Sequence, residues 1–353
     1  MNRRTATIGV LLAGAPFVHG ACQAQQSADA PWGITAVDGL HLGHHTLEAR
    51  PTGCTVILAG DGMVGGVDVR GGAPGSHETE LLDPVHSNQG VHAVVLSGGS
   101  SFGLSTTAGV MQYLDERDIG VRVGNKTIPI VVGAILYDLG LEGDRRIRPD
   151  AACGYAAAEV ASAARPAEGS IGAGAGATVG KLGDPYRPMR GGFGTASITL
   201  DNGLTVAAAV AVNAVGDIID PSTGEIVAGA RTEDGDSLLD IRTVLRGGVQ
   251  LDPPPAGTNT TIGLVATNAY LTRAQVTKVA QMAQDGLART TYPSHTPSDG
   301  DTVFSLASGR WEGEASVLLV GALAADVMAE AILRAVRLAE SLPGIPSASE
   351  FGR

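Results

Sequence analysis

The stretch PPPAGTNTTIGLVATNA, residues 253–269, places three prolines and a short polar run directly before a segment with the composition of a β-strand. Threonine is β-branched and favours strands, so Thr260 and Thr261 fit a plain loop-to-strand junction. A threonine hydroxyl can instead act as a nucleophile when the chain is cut in front of it, because its own α-amino group then serves as the base. The pKa of an α-amino group, about 7.7–8.0, suits that task near neutral pH. The residues of this stretch alone favour the plain junction.

Composition indicates a globular chain with a closely packed core. Of the 353 residues 44% are hydrophobic but only 4% are aromatic, so the core must consist of Ala, Val, Leu and Ile. The 50 glycines let layers approach closely and supply turns. The formal net charge of −12 argues against a broad nucleic-acid surface, which needs clustered Lys and Arg. We expect a small-molecule or peptide partner.

The N-terminus has the pattern of a secretory signal peptide. Arg3 and Arg4 precede an apolar run over residues 6–18, and small residues follow. The pattern predicts a signal peptide over residues 1–24 and a periplasmic or secreted protein; a lipoprotein anchored at Cys22 is the alternative. Export permits a disulfide between Cys54 and Cys153, but each lies in a context typical of a buried thiol. We therefore do not predict a bridge.

Hydrophobic periodicity predicts alternating strands and helices. Strands are predicted at residues 54–59, 91–99, 196–200, 204–219, 260–267 and 301–308. Helices are predicted at residues 101–117 and 150–164, from Thr272, which forms a capping box with Gln275, and at residues 315–340.

One domain with strands inside and helices outside is the predicted organisation. Residues 230–255 are charged and then proline-rich, which predicts a linker. A strand follows directly, so the linker is interpreted as an exposed loop within a single domain, residues 25–353. No segment after the signal peptide is predicted to cross a membrane, because the most apolar helix carries charges at helical spacing.

Three further patterns carry less chemistry. His41, His44 and His45 lack the additional ligands of a metal site, and a solvated turn is predicted there. The glycine-rich stretch 169–180 lacks the Gly-Lys-Ser/Thr spacing of a phosphate loop, which favours close packing beside an active site. LSGGSSFG, residues 96–103, lacks the Gly-x-Ser-x-Gly frame of a nucleophile elbow, so a helix cap is predicted.

Several separated motifs together resemble one peptidase family. They are DVRGGAPGSHETELLDP (68–84), LSGGSSFGLSTTAGVMQYL (96–114), GAGAGATVGK (172–181), GTNTTIGLVATNA (257–269) and PSHTPSDGDTVFSLASG (293–309). Their order and spacing resemble the autoprocessing L-aminopeptidase/D-esterases and β-peptidyl aminopeptidases over residues 33–338. The resemblance implies an α/β, four-layer αββα sandwich of the N-terminal-nucleophile (Ntn) type. It also implies autocleavage of a precursor into an α subunit, 25–259, and a β subunit, 260–353, in a homotetramer.

The resemblance also implies a set of site residues. Thr260 matches the nucleophile and Asn259–Thr260 the cleavage site; the rival threonines, Thr258 and Thr261, do not fit the register. The other positions carried over are Asn213 near the oxyanion, Lys181 beside the nucleophile, the acidic pair Asp299 and Asp301, and Tyr137 lining the pocket.

Two departures from the aminopeptidase pattern bear on specificity. The aminopeptidases tend to have Ser-Gly-Glu where this chain has Asp299-Gly300-Asp301. They also have an acidic residue, suited to a substrate ammonium, where this chain has Ala134-Ile135-Leu136. Both features, with the Asn-Thr-Thr junction, resemble the branch of 6-aminohexanoate-oligomer endohydrolases. Ala134 and Ile135 are therefore predicted to bind the methylene-rich part of a substrate.

The sequence thus predicts an autoprocessing N-terminal-threonine amidohydrolase that needs no metal and no cofactor. Its predicted substrates are small peptides or linear oligoamides, and no nucleic-acid partner is expected. An exo-acting aminopeptidase or β-aminopeptidase is one alternative. An acyltransferase of the ornithine-acetyltransferase type and a binding protein that processes itself without turnover are the others.

Overall fold

The computed structural model describes residues 31–88, 90–141, 143–249 and 255–351. The predicted signal peptide, residues 1–24 with Cys22, lies outside the described residues, and so do residues 250–254 of the predicted linker. Within these ranges no helix is both long enough and apolar enough to cross a bilayer.

Sixteen strands and five α-helices lie within the described ranges. The strands are β1 (His41–Thr46), β2 (Gly53–Val69), β3 (Ser76–His77), β4 (Val91–Ser97), β5 (Val121–Val123), β6 (Lys126–Ile128), β7 (Val131–Ile135), β8 (Thr178–Val179), β9 (Met189–Arg190), β10 (Gly192–Thr199), β11 (Thr205–Asn213), β12 (Asp217–Ile219), β13 (Ile226–Ala228), β14 (Thr260–Thr267), β15 (Thr291–Tyr292) and β16 (Thr302–Ala307). The α-helices are α1 (Thr106–Asp115), α2 (Ala151–Glu159), α3 (Ile241–Arg246), α4 (Arg273–Thr290) and α5 (Val317–Arg337). Short 3-10 helices cover Gly33–Ala36, Glu80–Leu82, Ser100–Ser105 and Gly172–Gly174.

One long strand, β2, joins two sheets. Its first part pairs with β1 and β4, and its second part, residues 64–69, pairs with β16. The register shifts between Leu58 and Met63, where the strand passes from one sheet to the other. The first sheet runs β1-β2-β4-β7-β3 and the second runs β10-β11-β14-β16-β2. Each sheet contains one parallel pair, β4 with β7 and β14 with β16.

Alternation along the strands builds four layers. The even-numbered residues from 206 to 212 of β11 pack against α4 and α5, and the odd-numbered residues from 207 to 211 pack between the two sheets. On the far side, β2 and β4 pack against α1 and α2 through Cys54, Val95, Val110 and Ala157. The order is therefore helices, sheet, sheet, helices, which confirms the predicted αββα sandwich.

Local predictions had mixed outcomes. The capping box is confirmed: Thr272 N–H donates to Gln275 Oε1 at 2.8 Å, and Gln275 N–H donates to Thr272 Oγ1 at 3.4 Å. The predicted strand 204–219 is interrupted after β11 and resumes as β12. Residues 96–103 do lead into a helix, but Gly99 (φ 83°) and Ser100 (φ 55°) make the turn and no side chain caps it. The N-cap of the helix is Gly99, so the cap lies in the predicted stretch, but its backbone and not a side chain forms it.

The histidine-rich stretch forms a strand, so the predicted solvated turn is wrong. His41, His44 and His45 belong to β1. His44 Nδ1 lies 2.8 Å from Thr55 Oγ1, and its Nε2 lies 3.2 Å from the Ala167 carbonyl oxygen. Burial lowers the pKa of this imidazole from 6.5 to about 4, since the charged form loses its hydration. His44 is thus a neutral structural side chain.

The linker prediction for residues 230–255 is wrong for its first part. Residues 241–246 form α3, and Ile241 is buried. The carboxylate of Asp217 accepts N–H bonds from Ala230 at 2.7 Å and from Ile241 at 2.8 Å. Burial raises the pKa of Asp217 to about 6. A charged composition suggested a solvated loop, but a carboxylate from the strand β12 anchors the segment.

A disulfide joins Cys54 of β2 to Cys153 of α2, with their Cα atoms 6.4 Å apart. The expectation of two buried thiols is therefore wrong. Both residues are buried as predicted, but α2 lies directly across the first sheet. A Cβ at Gly43 of β1 would lie 2.0 Å from the Ala157 carbonyl oxygen, so glycine is required for this close approach.

Removing the disulfide should destabilise the protein. The Cys54→Ser/Cys153→Ser double variant should lose about 2–4 kcal/mol of unfolding free energy, because a long cross-linked loop restricts the unfolded chain. Urea unfolding with and without reductant measures this loss. Reductant should shift the midpoint of the parent protein and leave that of the double variant in place; equal midpoints for the parent under both conditions would contradict the bridge.

Candidate active site

Three distant segments meet at the first residue of β14. Strand β14 lies between β11, which is antiparallel to it, and β16, which is parallel. The register places Thr260 opposite Asn213. The preceding residue, Asn259, forms a parallel bridge with Asp299. The Asn259–Thr260 peptide therefore lies at the buried end of the two central strands, with Asn259 and Thr260 almost fully excluded from solvent.

The Asn259 carbonyl group is held by two donors. The Gly300 N–H donates to its oxygen at 3.0 Å, and the Thr260 hydroxyl contacts the same oxygen. A Cβ at Gly300 would lie 2.8 Å from Thr260 Oγ1 and 2.7 Å from the Ala73 carbonyl oxygen, so the position requires glycine. A backbone N–H aimed at a carbonyl oxygen is the arrangement that stabilises negative charge during attack on that carbonyl.

Lys181 and Asn213 form a connected pair beside this peptide. Lys181 Nζ donates to Asn213 Oδ1 at 2.7 Å, to the Asn213 carbonyl at 3.1 Å and to the Thr258 carbonyl at 3.3 Å. The Thr178 N–H also donates to Asn213 Oδ1, at 3.0 Å, and Asn213 Nδ2 donates to the Tyr137 carbonyl at 3.0 Å. These bonds fix the orientation of the Asn213 amide.

The environment of Lys181 makes its amine a potential base. Crowding by protein atoms removes hydration and lowers the pKa of Lys181 from 10.5 to about 7. The carboxylates of Asp299 and Asp138 oppose this shift. A substantial fraction of the amine is consequently neutral at neutral pH and able to accept a proton.

Asp299 is buried and held by its own turn. Its Oδ2 accepts a bond from the Thr296 hydroxyl at 2.5 Å and from the Thr296 N–H at 3.0 Å. Its Oδ1 accepts the Val215 N–H at 3.4 Å. Burial, with the neighbouring charge of Asp301, raises the pKa of Asp299 to about 6. Asp299 therefore titrates near the lower end of the neutral range.

Asp301 orients the strand that carries the candidate nucleophile. Its Oδ1 accepts the Thr261 N–H at 2.8 Å, directly after Thr260. Its Oδ2 accepts the His295 N–H at 3.0 Å and lies 2.9 Å from His295 Nδ1. No local pattern in the sequence marks His295 as a functional residue, although it lies inside the motif of residues 293–309. Its position depends on a left-handed backbone conformation, φ 55°, that no local pattern announces.

A loop after β2 supports the acidic pair. The Arg70 N–H donates to the Asp301 carbonyl at 3.0 Å, and the Ala73 N–H donates to the Asp299 carbonyl at 2.8 Å. A Cβ at Gly71 would lie 2.2 Å from the Asp301 nitrogen, so glycine is needed at this contact. The glycines of the DVRGGAPG motif thus allow the close contact between this loop and the acidic pair. Composition alone did not predict this structural role.

A cavity of about 310 Å³ opens beside the Asn259–Thr260 peptide. Its lining includes Tyr137, Lys181, Thr258 and Asn259, together with Asp138, Gly140, Leu141, Gly176, Thr178, Gly183, Pro188, Pro255 and Ile345. No sequence motif marks Asp138 as a site residue. Its carboxylate faces Arg50, with 3.6 Å between Arg50 Nη1 and Asp138 Oδ1.

Ala134 and Ile135 are not part of the cavity lining. Ala134 packs with Leu136 in the core between the two sheets, and Ile135 is also buried. Their assignment to substrate binding stays a prediction. Across the described ranges no group of three His, Cys, Asp or Glu side chains is arranged to hold a metal ion.

Comparisons with known proteins assign the chain to a peptidase family. Residues 33–349 match the model of peptidase family S58. An uncharacterized aminopeptidase of Mycobacterium leprae (strain TN) is 43% identical, with 89% of this chain and 92% of that protein covered. A 6-aminohexanoate-oligomer endohydrolase of Kocuria sp. (strain KY2) is 32% identical, with 85% of this chain and 84% of that protein covered.

Two solved structures share the fold. A β-aminopeptidase of Burkholderia sp. superposes with a TM-score of 0.63 at 23% identity, over 89% of each chain. The L-aminopeptidase D-Ala-esterase/amidase of Ochrobactrum anthropi superposes with a TM-score of 0.67 at 20% identity, over 91% of this chain and 92% of that chain. The latter is described as a variant of the Ntn hydrolase fold, which confirms the predicted Ntn-like architecture.

The lowered pKa of Lys181 predicts a pH-dependent stability difference. Between its folded pKa of about 7 and its ordinary value of 10.5, the unfolded chain binds a proton that the folded chain does not, so stability rises with pH. In a Thr260→Ala background, the chain with Lys181 should therefore gain stability relative to its Lys181→Met variant as the pH rises from about 7 to about 9.

Urea titrations at several pH values measure the free energy of unfolding of both chains. Lys126→Met, which removes a lysine from the exposed β5–β6 hairpin, is the matched control and should follow the parent. If the Lys181→Met curve runs parallel to the parent over this pH range, the shift does not exist.

Proposed function

The chain belongs to peptidase family S58 and is a hydrolase of amide bonds, and we propose that it cuts itself between Asn259 and Thr260 before it cuts any substrate. The observation that supports this proposal is that three groups meet at one peptide bond. The Asn259 carbonyl accepts the Gly300 N–H and contacts the Thr260 hydroxyl, while Lys181 donates to the carbonyl of the preceding residue, Thr258.

Self-cleavage would proceed through an ester. The Thr260 hydroxyl oxygen attacks the Asn259 carbonyl carbon, and its proton passes to a base. Lys181 is the proposed base, because its amine donates to the neighbouring Thr258 carbonyl and burial lowers its pKa. The Gly300 N–H stabilises the oxyanion. The Asn259–Thr260 carbon–nitrogen bond then breaks, and the Thr260 nitrogen takes a proton. Water hydrolyses the ester, which leaves an Asn259 carboxylate and a free Thr260 α-amino group.

Turnover would reuse the same hydroxyl. The new α-amino group of Thr260 accepts the hydroxyl proton, since its pKa of about 7.7–8.0 lies near neutral pH. Asn213 has a second amide hydrogen beyond the one donated to the Tyr137 carbonyl, and it is suited to the substrate oxyanion. Asp301 acts as a positioning residue through the Thr261 N–H. Asp299 holds negative charge near Lys181.

The proposed maturation follows the predicted boundaries. A signal peptide, 1–24, directs export to the periplasm or the medium, and cleavage yields α (25–259) and β (260–353) subunits of one domain. The disulfide between Cys54 and Cys153 supports an oxidising compartment. Assembly as a homotetramer rests on the family resemblance.

Linear oligoamides and small peptides, cut at internal bonds, are the proposed substrates. Asp138 is the only acidic side chain among the described residues that line the cavity. Its oxygens already accept bonds from the Thr52 hydroxyl at 2.5 Å and the Gly99 N–H at 3.0 Å, and Arg50 lies beside it. No carboxylate of the described lining is left to receive a substrate ammonium, which argues against an exo-acting aminopeptidase.

Processing at the proposed bond predicts two chains. The purified protein should contain a β chain that begins at Thr260, as read by N-terminal sequencing and intact mass. Thr260→Ala should leave one uncut, inactive chain, because both reactions need the same hydroxyl; Thr260→Ser should retain some of each.

The rival threonines provide matched controls. Thr258→Ala and Thr261→Ala should still yield a β chain that starts at residue 260. A β chain beginning elsewhere, or a processed Thr260→Ala protein, would overturn the assignment of the nucleophile.

Blocked N-termini should be tolerated. We expect a 6-aminohexanoate oligomer and its N-acetylated form to be hydrolysed at comparable rates, because the cavity offers no unpaired carboxylate to an ammonium group. Product analysis by chromatography gives both rates. If acetylation abolishes hydrolysis, the exo-aminopeptidase alternative replaces the proposal. Transfer of the acyl group to an added amine in preference to water would instead favour the acyltransferase.

A further inference from the structure

Three arginines lie close together in a chain whose formal net charge is −12. Arg145, Arg146 and Arg148 line a recess of about 640 Å³, together with Phe102, Tyr137 and Leu139. Tyr137 also belongs to the wall of the cavity beside the Asn259–Thr260 peptide. The recess therefore adjoins the candidate active site through one shared side chain.

The guanidinium groups of this recess are available to a ligand. Within the described part of the chain, no carboxylate forms an ion pair with any of the three. Arg148 stacks on Phe102, with its guanidinium carbon 3.5 Å from the ring centroid. Asp144 accepts the backbone N–H of Arg146 at 2.9 Å and is the one described carboxylate in residues 143–148. The loop keeps a net positive charge.

The walls of the recess are held by buried contacts. Arg50 Nη1 donates to the Ile147 carbonyl at 3.3 Å, which anchors the arginine loop. Asp138 accepts the Gly99 N–H at 3.0 Å, which anchors the turn that carries Phe102. A Cβ at Gly99 would lie 3.0 Å from Pro149 Cδ, so the two walls pack directly on each other. The backbone that carries the arginines is therefore held in place by buried contacts.

We propose that this recess is a carboxylate-binding subsite that selects amide substrates ending in a free carboxylate. The proposal rests on the proposed function, since the substrate's amide must lie in the cavity while its terminal carboxylate extends past Tyr137 and reaches the arginines. Arginine pairs with carboxylates through two parallel hydrogen bonds and stays charged at every physiological pH.

Because the whole protein is negatively charged, binding a substrate carboxylate needs a local cluster of positive side chains. A net charge of −12 repels a carboxylate at long range, and a local cluster of arginines reverses the potential at the site. Because Arg145 and Arg146 are exposed, their attraction is screened by salt. Recognition should therefore appear mainly in KM and weaken at high ionic strength.

The test compares two substrates that differ only at one end, the 6-aminohexanoate tetramer and its C-terminal carboxamide. At low salt the KM of the carboxamide should exceed that of the acid by about three- to tenfold, the range for two exposed ion pairs. In the Arg145→Gln/Arg146→Gln double variant the ratio of the two KM values should fall to about one. In the parent enzyme, salt at about 0.5 M should reduce the ratio in the same direction.

A matched control removes the same charge elsewhere. Arg122→Gln/Lys126→Gln, on the exposed β5–β6 hairpin, should keep the ratio of the parent enzyme. Arg148→Gln is a second variant that keeps both exposed arginines. It should also lower the ratio of the two KM values.

The outcomes separate the two proposals. If the parent enzyme hydrolyses both substrates with equal KM, or the double variant raises both KM values equally, the subsite proposal fails and the proposed function stands. If the parent enzyme hydrolyses neither substrate while N-acetylated peptides are also left intact, the proposed function itself fails.

Discussion

The ion pair between Arg50 and Asp138 fixes the walls of the site. Both side chains are fully buried, and burying two charges costs several kcal/mol per ion unless hydrogen bonds replace the lost water. Asp138 meets this need with the Thr52 hydroxyl and the Gly99 N–H, and Arg50 donates to the Ile147 carbonyl. Separate segments of the first sheet and its loops are therefore connected by hydrogen bonds to this one ion pair. Burial raises the pKa of Asp138, while its charge acts to raise that of Lys181 across the cavity.

Strand register is the second constraint, and it determines which residues lie next to Thr260. Strand β14 pairs with β11 on one side and β16 on the other, so Thr260 lies opposite Asn213 while Asn259 bridges Asp299. Side chains alternate across a strand, and a slip of one residue would exchange the face of Thr260 with that of Thr261. The core on both faces of β14 opposes such a slip. The same packing that stabilises the sandwich thus holds Thr260, the candidate nucleophile, in place.

Sequence motifs located the neighbourhood of Thr260 because glycines and polar residues at fixed spacing carry that information locally. Lys181 contacts the Thr258 carbonyl, two residues before Thr260. Contacts between elements were less predictable. The pairing of Cys54 with Cys153 depends on which strand α2 crosses, and a helical pattern does not state its partner. Motif position also gives no side-chain direction: Ala134 packs between the sheets, and its role in substrate binding stays a prediction.

The geometry also explains why cleavage and turnover belong together under the proposed mechanism. Pro255, Thr258 and Asn259 line the cavity in the uncut chain, so the segment before Thr260 borders the space that a substrate amide must enter. The amine that serves as base in turnover is at that stage part of the Asn259–Thr260 peptide, and a peptide nitrogen accepts no proton near neutral pH. The proposed cut would convert this nitrogen into a base and end the covalent tether of residues 255–259 to β14. Under the proposed mechanism the precursor would therefore lack activity for a chemical and a steric reason at once, and both follow from the position of one bond at the start of a central strand.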